Sequence, residues 1–237
     1  ASGQSPIIEE GMPDLIREAA ESGRARVTDS CEDAIEATDM SMVSVGTPSD
    51  ATGAHDLRAL ENVCRQIGAA IHKKQRPHAI VIRSTVSPGT TEGRLRGLIA
   101  EAADGAEFSL CFQPEFLREG VSLRDFENPP MTIAGGDSDS VQMLREVFEV
   151  LPAEFFATTT DVAEMVKFCC NAFHALKVTF ANEVGRLSKG LGIDGQAVMG
   201  LLCQDTQLNA SAAYLRPGFA FGGSCLPKDL RALVKMS

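Results

Sequence analysis

Two folding regimes are expected along these 237 residues: an α/β layer on a doubly wound parallel sheet up to about residue 158, then an all-helical region. Three observations predict this. Short apolar, β-branched runs alternate with amphipathic stretches of helical period; each run stops on a polar or Gly/Pro turn; and from Asp161 to Leu191 the alternation gives way to about thirty residues of helical periodicity without proline.

The elements follow in order. Pro13 suits the first turn of a helix reaching Ser22, with Gly23 just past its end, and a short strand is expected next. Ser30 caps a helix over 31–38, with Asp33 in an approximate capping-box position, and the run 40–45 is a buried strand halted by Gly46-Thr47-Pro48. From Asp56 as N-cap, Leu57, Leu60, Cys64, Ile67 and Ile71 recur at helical spacing until Pro77, where the strand 79–83 begins. A helix over 90–103, a strand over 108–112, a strand over 131–134, a helix over 138–151 and a strand over 154–157 continue the pattern. Ligands of such sheets sit beyond the carboxyl ends of the strands. Gly46-Thr47-Pro48, Ser84-Thr85 and Pro114-Glu115 all fall there.

On the long helix, 100° per residue puts Lys167, Asn171, His174 and Asn182 within about 80° of one another, while apolar residues cover most of the remaining circumference. A polar line that narrow is expected to face a wet pocket rather than bulk water.

Composition excludes several classes. With 32 acids against 22 bases and a formal net charge of −10, no basic face is available to track a phosphate backbone. No apolar run approaches the roughly 18 residues of a membrane span, and residues 1–30 lack a basic, then apolar, secretory pattern, so a cytosolic (cytoplasmic) protein is the expectation. Cysteines at 31, 64, 111, 169, 170, 203 and 225 form no C-x-x-C pair, and the histidines lack metal-ligand spacing, so no metal is expected. Gly190-Leu-Gly192-Ile-Asp-Gly195 fits a dinucleotide fingerprint in letters only: it follows one helix and precedes another capped by Asp194, so Gly192 reads as a helix stop.

The segment from Arg216 to Asp229 differs in kind. It is a tight Gly/Pro loop that delivers Cys225 to the start of a helix opened by Pro227, beside Lys228. The helix start and the ammonium both favour thiolate, the nucleophilic form, and single out Cys225 from the other cysteines.

Here the residues carry a resemblance. Phe221-Gly-Gly-Ser-Cys-Leu-Pro-Lys-Asp229 resembles the active-site signature of the UDP-glucose/GDP-mannose dehydrogenase family. Val45-Gly-Thr-Pro48, Arg83-Ser-Thr-Val-Ser-Pro-Gly-Thr90, Pro114-Glu-Phe-Leu-Arg-Glu119 and Ala163-Glu-Met-Val-Lys167 with Asn171 are similar to its other landmarks, in the same order. Leu208-Asn, the run from Tyr214 to Cys225, and Lys177-Val-Thr-Phe-Ala-Asn-Glu183 resemble most the branch that oxidises GDP-mannose to alginate precursors.

The resemblance implies NAD as cofactor and oxidation of a nucleotide sugar's C6 alcohol to a carboxylate, with two NAD reduced per sugar. It implies Cys225 as nucleophile, Lys167 and Asn171 as oxyanion donors, Asp229 with Thr85 as groups that position water or pass protons, and Glu115 as the carboxylate of thioester hydrolysis. Thr47, Thr85 and Lys228 are the implied cofactor contacts. Glu119, Lys167, Asn171, His174, Asn182, Tyr214, Arg216, Phe219 and Gly222 are the implied nucleotide-sugar contacts.

On this reading residues 1–159 are an incomplete Rossmann-like NAD-binding domain and residues 160–237 the helical central domain, which in the family also builds a homodimer whose partner chain completes the site. The family's opening βαβ unit with its glycine fingerprint, and its C-terminal nucleotide-binding domain, are missing, so a fragment with weak activity alone is expected. Gln113 stands where the family leads us to expect Asn. Three alternatives stay open: a UDP-glucose or UDP-aminosugar enzyme, a 6-phosphogluconate-type dehydrogenase with Lys-x-x-x-Asn but no thiol chemistry, and an inactive dimerisation fragment.

Overall fold

A computed structural model describes residues 9–74, 76–215, 217–218, 220–221 and 225–236. The elements run α1 (Met12–Glu21), α2 (Cys31–Glu36), β1 (Met40–Val43), α3 (Arg58–Lys74), β2 (His78–Ile82), a π turn (Thr91–Leu95) leading into α4 (Arg96–Ala103), β3 (Phe108–Phe112), α5 (Ser122–Glu127), β4 (Thr132–Gly136), α6 (Ser138–Phe148), β5 (Phe155–Thr158), α7 (Thr160–Gly190), α8 (Gly195–Leu202) and α9 (Leu226–Met236). The strands lie side by side in the order β1-β2-β3-β4-β5.

The sheet is mixed rather than wholly parallel. β1, β2 and β3 run parallel, β4 and β5 run parallel to each other, and β3 meets β4 antiparallel through Cys111↔Gly136 and Phe112↔Gly135. The cause lies in the connection between them. A parallel neighbour needs a crossover returning the chain to the far end of the sheet; this connection stays where β3 ends and forms only α5, so β4 enters there. Glu9 secures α5 by accepting hydrogen bonds from Ser122 Oγ (2.6 Å) and the Leu123 amide (2.6 Å). Residues 24–27 form no strand, contrary to expectation.

Strand alternation divides the core. Ile80, Ile82, Leu110 and Phe112 point to one face, where they meet Leu60, Cys64 and Ile67 of α3 and Ile99 of α4. Val81, Cys111 and Ala134 point to the other and meet Val141 and Leu144 of α6. Each fully buried Ile or Leu contributes roughly 1.5–3 kcal/mol. α3 and α4 approach so closely that a Cβ on Gly68 would lie 2.6 Å from the Ile99 carbonyl oxygen, so that position needs glycine.

The chain forms two compact units, Ala1–Cys170 and Asn171–Ser237. In the second, α7 stops in a Schellman turn: Ile193 N–H bonds to Ser188 O (2.8 Å), Gly192 N–H bonds to Lys189 O (3.3 Å), and Gly192 is left-handed at φ 70°. Asp194 then caps α8 through the Gln196 and Ala197 amides. The fingerprint-like glycines are thus a joint between helices. Among the described residues no helix is long and apolar enough to cross a membrane.

Candidate active site

Three loops leave the carboxyl ends of β1, β2 and β3, and hydrogen bonds stitch them together. Thr47 Oγ1 donates to the Thr85 carbonyl (2.7 Å), and Ser84 Oγ donates to the Val45 carbonyl (2.7 Å), which joins the first loop to the second. The second is joined to the third by Arg83, whose guanidinium donates to the Gln113 side-chain carbonyl, while the Gln113 amide prolongs the ladder to Ile82 O (2.9 Å). Gln113 is buried. A Cβ built on Gly46 would meet no atom within 4 Å, so the backbone there is open to a ligand.

The first two turns of α7 close this arrangement. Thr160, Ala163, Glu164 and Lys167 are buried at i, i+3, i+4 and i+7, a single helix face. Lys167 Nζ donates to the Glu115 backbone carbonyl and to Glu115 Oε1 (2.9 Å), and lies 5.5 Å from the Phe116 ring centroid. Glu164 accepts from the amides of Gly89 and Thr91. Burial alone would raise the Glu115 carboxyl, but the Lys167 ammonium, the Leu117 amide and the Arg83 guanidinium outweigh it and hold the group below the usual carboxylate range. Burial in turn lowers Arg83 against the opposing pull of Glu115.

The structure therefore brings together Thr47, Thr85, Glu115 and Lys167 of the expected site. It adds Arg83 and Glu164, which were only letters within motifs, and Gln113, which stood out as a departure from the family. A signal for Glu164 was present: it shares with Lys167 the spacing that core residues of a helix use. Glu119 lies apart from the cluster's buried centre, on an exposed turn.

In the second unit, Cys225 is exposed and immediately precedes α9, where its carbonyl accepts the first helical bond from Asp229 N–H (2.9 Å). Lys228 Nζ is 2.9 Å from Asp229 Oδ1, so its charge faces that carboxylate. Asn171, His174 and Asn182 are exposed, whereas Lys167 at the head of the same line is buried. Tyr214 is 86% exposed with a left-handed backbone, φ 62°, a strained state for a bulky residue. Arg216, Phe219 and Gly222 lie outside the described residues.

A different polar cluster occupies the amino ends of the strands. His78 is buried between Ser41 Oγ (2.8 Å from Nε2) and Lys74 Nζ (3.1 Å from Nδ1), beside a hollow of about 840 Å³ lined by Asp39, Arg96, Phe108 and Met143. Burial, and then the Lys74 charge, push its pKa down to about 4. The lysine donates to Nδ1, so Nε2 carries the proton and donates to Ser41, the wrong polarity for activating a serine.

Hydrogen-bonded loops at neighbouring parallel strand ends, followed by a long helix, are the architecture of a Rossmann-like nucleotide-binding domain with a helical domain after it. Residues 1–152 match the NAD binding domain, and residues 161–237 the central domain, of the UDP-glucose/GDP-mannose dehydrogenase family. The chain belongs to that family. It is 46% identical to the GDP-mannose 6-dehydrogenase of Pseudomonas putida over 236 residues, 98% of this chain and 54% of that protein. A GDP-mannose dehydrogenase from Pseudomonas aeruginosa, solved as a ternary complex, superposes with TM-score 0.96 at 46% identity, covering 98% of this chain and 54% of that one. A UDP-glucose dehydrogenase from Pyrobaculum islandicum superposes with TM-score 0.85 at 40% identity, covering 99% and 54%. The chain thus spans about half the length of the relatives it matches.

Proposed function

We propose that the protein oxidises the C6 alcohol of GDP-mannose to the carboxylate of GDP-mannuronate in two NAD-dependent steps. The observation that carries this is the Lys167–Glu115 pair, its lysine buried, in the same NAD-binding domain as the linked Thr47 and Thr85, in a chain 46% identical to a GDP-mannose 6-dehydrogenase and 40% to a UDP-glucose dehydrogenase. NAD, when bound, accepts the two electrons of each oxidation; Thr47 and Thr85, with Lys228 from α9, are the residues assigned to hold it, and the open backbone at Gly46 fits its approach.

The remaining steps use this chain's own groups. An ammonium has three N–H donors, two of which go to Glu115, and the third is available to the oxygen at C6; Asn171 is assigned the second donor. Cys225 adds to the C6 aldehyde as thiolate, giving a thiohemiacetal whose oxidation leaves a thioester. Glu115, held ionised by Lys167 and Arg83, takes a proton from the water that cleaves the thioester, which releases the acid and restores the thiol. Asp229 and Thr85 position that water. Glu119, His174, Asn182, Tyr214, Arg216, Phe219 and Gly222 are assigned to the nucleotide sugar. The strained, exposed backbone of Tyr214 supports a ligand contact there.

Side-by-side assay of GDP-mannose, UDP-glucose and a UDP-N-acetylaminosugar tests the reading. Two NADH per GDP-mannose and at least tenfold lower kcat/KM for the UDP sugars are expected, the tenfold being about 1.4 kcal/mol of discrimination. Preference for UDP-glucose would sink the GDP-mannose assignment. A homodimer, with the partner contributing to the site, is part of the proposal: Phe173, Leu176, Val178 and Phe180 are exposed on α7, and a helix apolar around most of its circumference is ordinarily covered. Light scattering that returns one-chain mass at micromolar concentration would count against it.

A further inference from the structure

Glu164 takes part in no step above, yet its surroundings are unusual for a carboxylate. It is 0% exposed, one helical turn before Lys167. Each oxygen accepts one backbone N–H, from Gly89 at 2.5 Å and from Thr91 at 2.9 Å. These amides bracket Thr90, at the close of the segment that carries Thr85. Gly89 is at φ +87°, a conformation that turns the chain there and that side-chain-bearing residues rarely adopt. Thr91 opens the π turn, in which its carbonyl bonds to Arg96 N–H rather than to the residue an α-helix would use. Two charge-assisted bonds from a buried carboxylate therefore hold an irregular piece of backbone in place. The same helix face, three residues on, holds the Glu115 loop through Lys167.

The geometry points to Glu164 as a positioning residue for the nicotinamide cofactor; this rests on the cofactor assignment above. It clamps the backbone at Gly89 and Thr91, which closes the segment carrying Thr85, to the second turn of α7. Thr85 is thereby fixed, and so is Thr47, whose hydroxyl bonds to the Thr85 carbonyl. The clamp thus restrains the far end of the segment whose near end is tied by the Thr47–Thr85 and Ser84–Val45 bonds.

Glu164→Gln is the discriminating change. An amide of the same length offers one carbonyl and one NH2, so one of the two backbone N–H groups is left facing a donor. In the protein expressed from its complete reading frame, amide hydrogen exchange at Gly89 and Thr91 is expected to accelerate about tenfold or more without any ligand present. The dissociation constant for NAD, measured by calorimetry without sugar, is expected to rise about tenfold, the scale of one lost hydrogen bond to a charged acceptor, while that for GDP-mannose changes less than about twofold. Glu164→Asp keeps the charge on a shorter chain and is expected to recover part of the NAD affinity; it also serves as the measured variant if Glu164→Gln does not fold. Unaltered exchange at the two amides, or equal weakening of both ligands, would overturn the proposal. A wild-type protein that binds NAD but oxidises no nucleotide sugar would sink the proposed reaction and leave the clamp standing.

Discussion

The first two turns of α7 and the next thirteen residues invert the usual order of burial. Thr160, Glu164 and Lys167 are polar and buried, whereas Phe173, Leu176, Val178 and Phe180 are apolar and exposed. Burying a charge costs several kcal/mol unless partners meet it. Glu164 and Lys167 have such partners, all at the strand-end loops. A helix that gives up core positions to charges is positioning something, and one that leaves Phe and Leu in water lacks its cover. The difference teaches where chemistry and association are to be sought: the buried polar turns bind the strand-end loops, and the exposed apolar turns are the surface on which the proposed dimer is to be tested.

The largest expected effect separates chemistry from packing. Cys225 is exposed, so Cys225→Ser removes little packing. Aldehyde oxidation is expected to fall on the order of 10³-fold or more, as when a covalent nucleophile is removed, while the unfolding midpoint stays within about 1 °C. One NADH per substrate, formed equally by wild type and serine variant, would favour a thiol-free, 6-phosphogluconate-type reading.

A second effect comes from the amino ends of the strands, where His78 is buried beside Lys74. His78 titrates near 4 when folded, against 6.5 when unfolded. Between those values the unfolded state binds the extra proton, so stability is fully present above about pH 6.5 and is lost as pH falls toward 4. The loss amounts to about 3 kcal/mol. Urea unfolding at pH 7 and pH 4.5, compared with His78→Gln, checks it: the variant's curve is expected to be flatter over that interval, and parallel curves would remove His78 as the cause.

Lys167→Met is expected to cost about 2 kcal/mol, less than a fully buried pair because Glu115 keeps some solvent exposure. The same substitution lets the Glu115 carboxyl rise, so the acidic limb of the pH–rate profile moves to higher pH. An unmoved limb would detach Glu115 from the hydrolytic step.

Much of this was legible from residue patterns. Alternation placed Ile80, Ile82, Leu110 and Phe112 in strands, and the Gly-Thr-Pro, Ser-Thr and Pro-Glu turns at their carboxyl ends. Strand direction was not legible, because a five-residue run such as Thr132–Gly136 carries no record of which way it runs. Nor was α5, whose six residues are too few for a helical period to declare itself. The Glu164 clamp joins residues more than seventy positions apart through backbone amides, which have no letter in the sequence. Lys167 and Cys225 were found because side-chain type carries their chemistry; Glu164 was passed over because its partners are main chain.

The smallest expected change tests the exposed half of the comparison. Leu176 is 63% exposed and Val178 61%, so replacing either by Lys removes almost no contact within this chain. Such substitutions ordinarily change stability by no more than about 0.5 kcal/mol. If another copy covers these turns, the variants instead place a charge in an apolar interface, and association weakens far more than folding does. Sedimentation across a concentration series, alongside unfolding of the dissociated chain, reads the two effects separately. The expected result is a shift toward one-chain mass with an unmoved unfolding curve. A wild-type mass distribution in both variants would mean that this stretch of α7 is exposed in the working protein too, and the contrast between its two parts would then concern only the cofactor end.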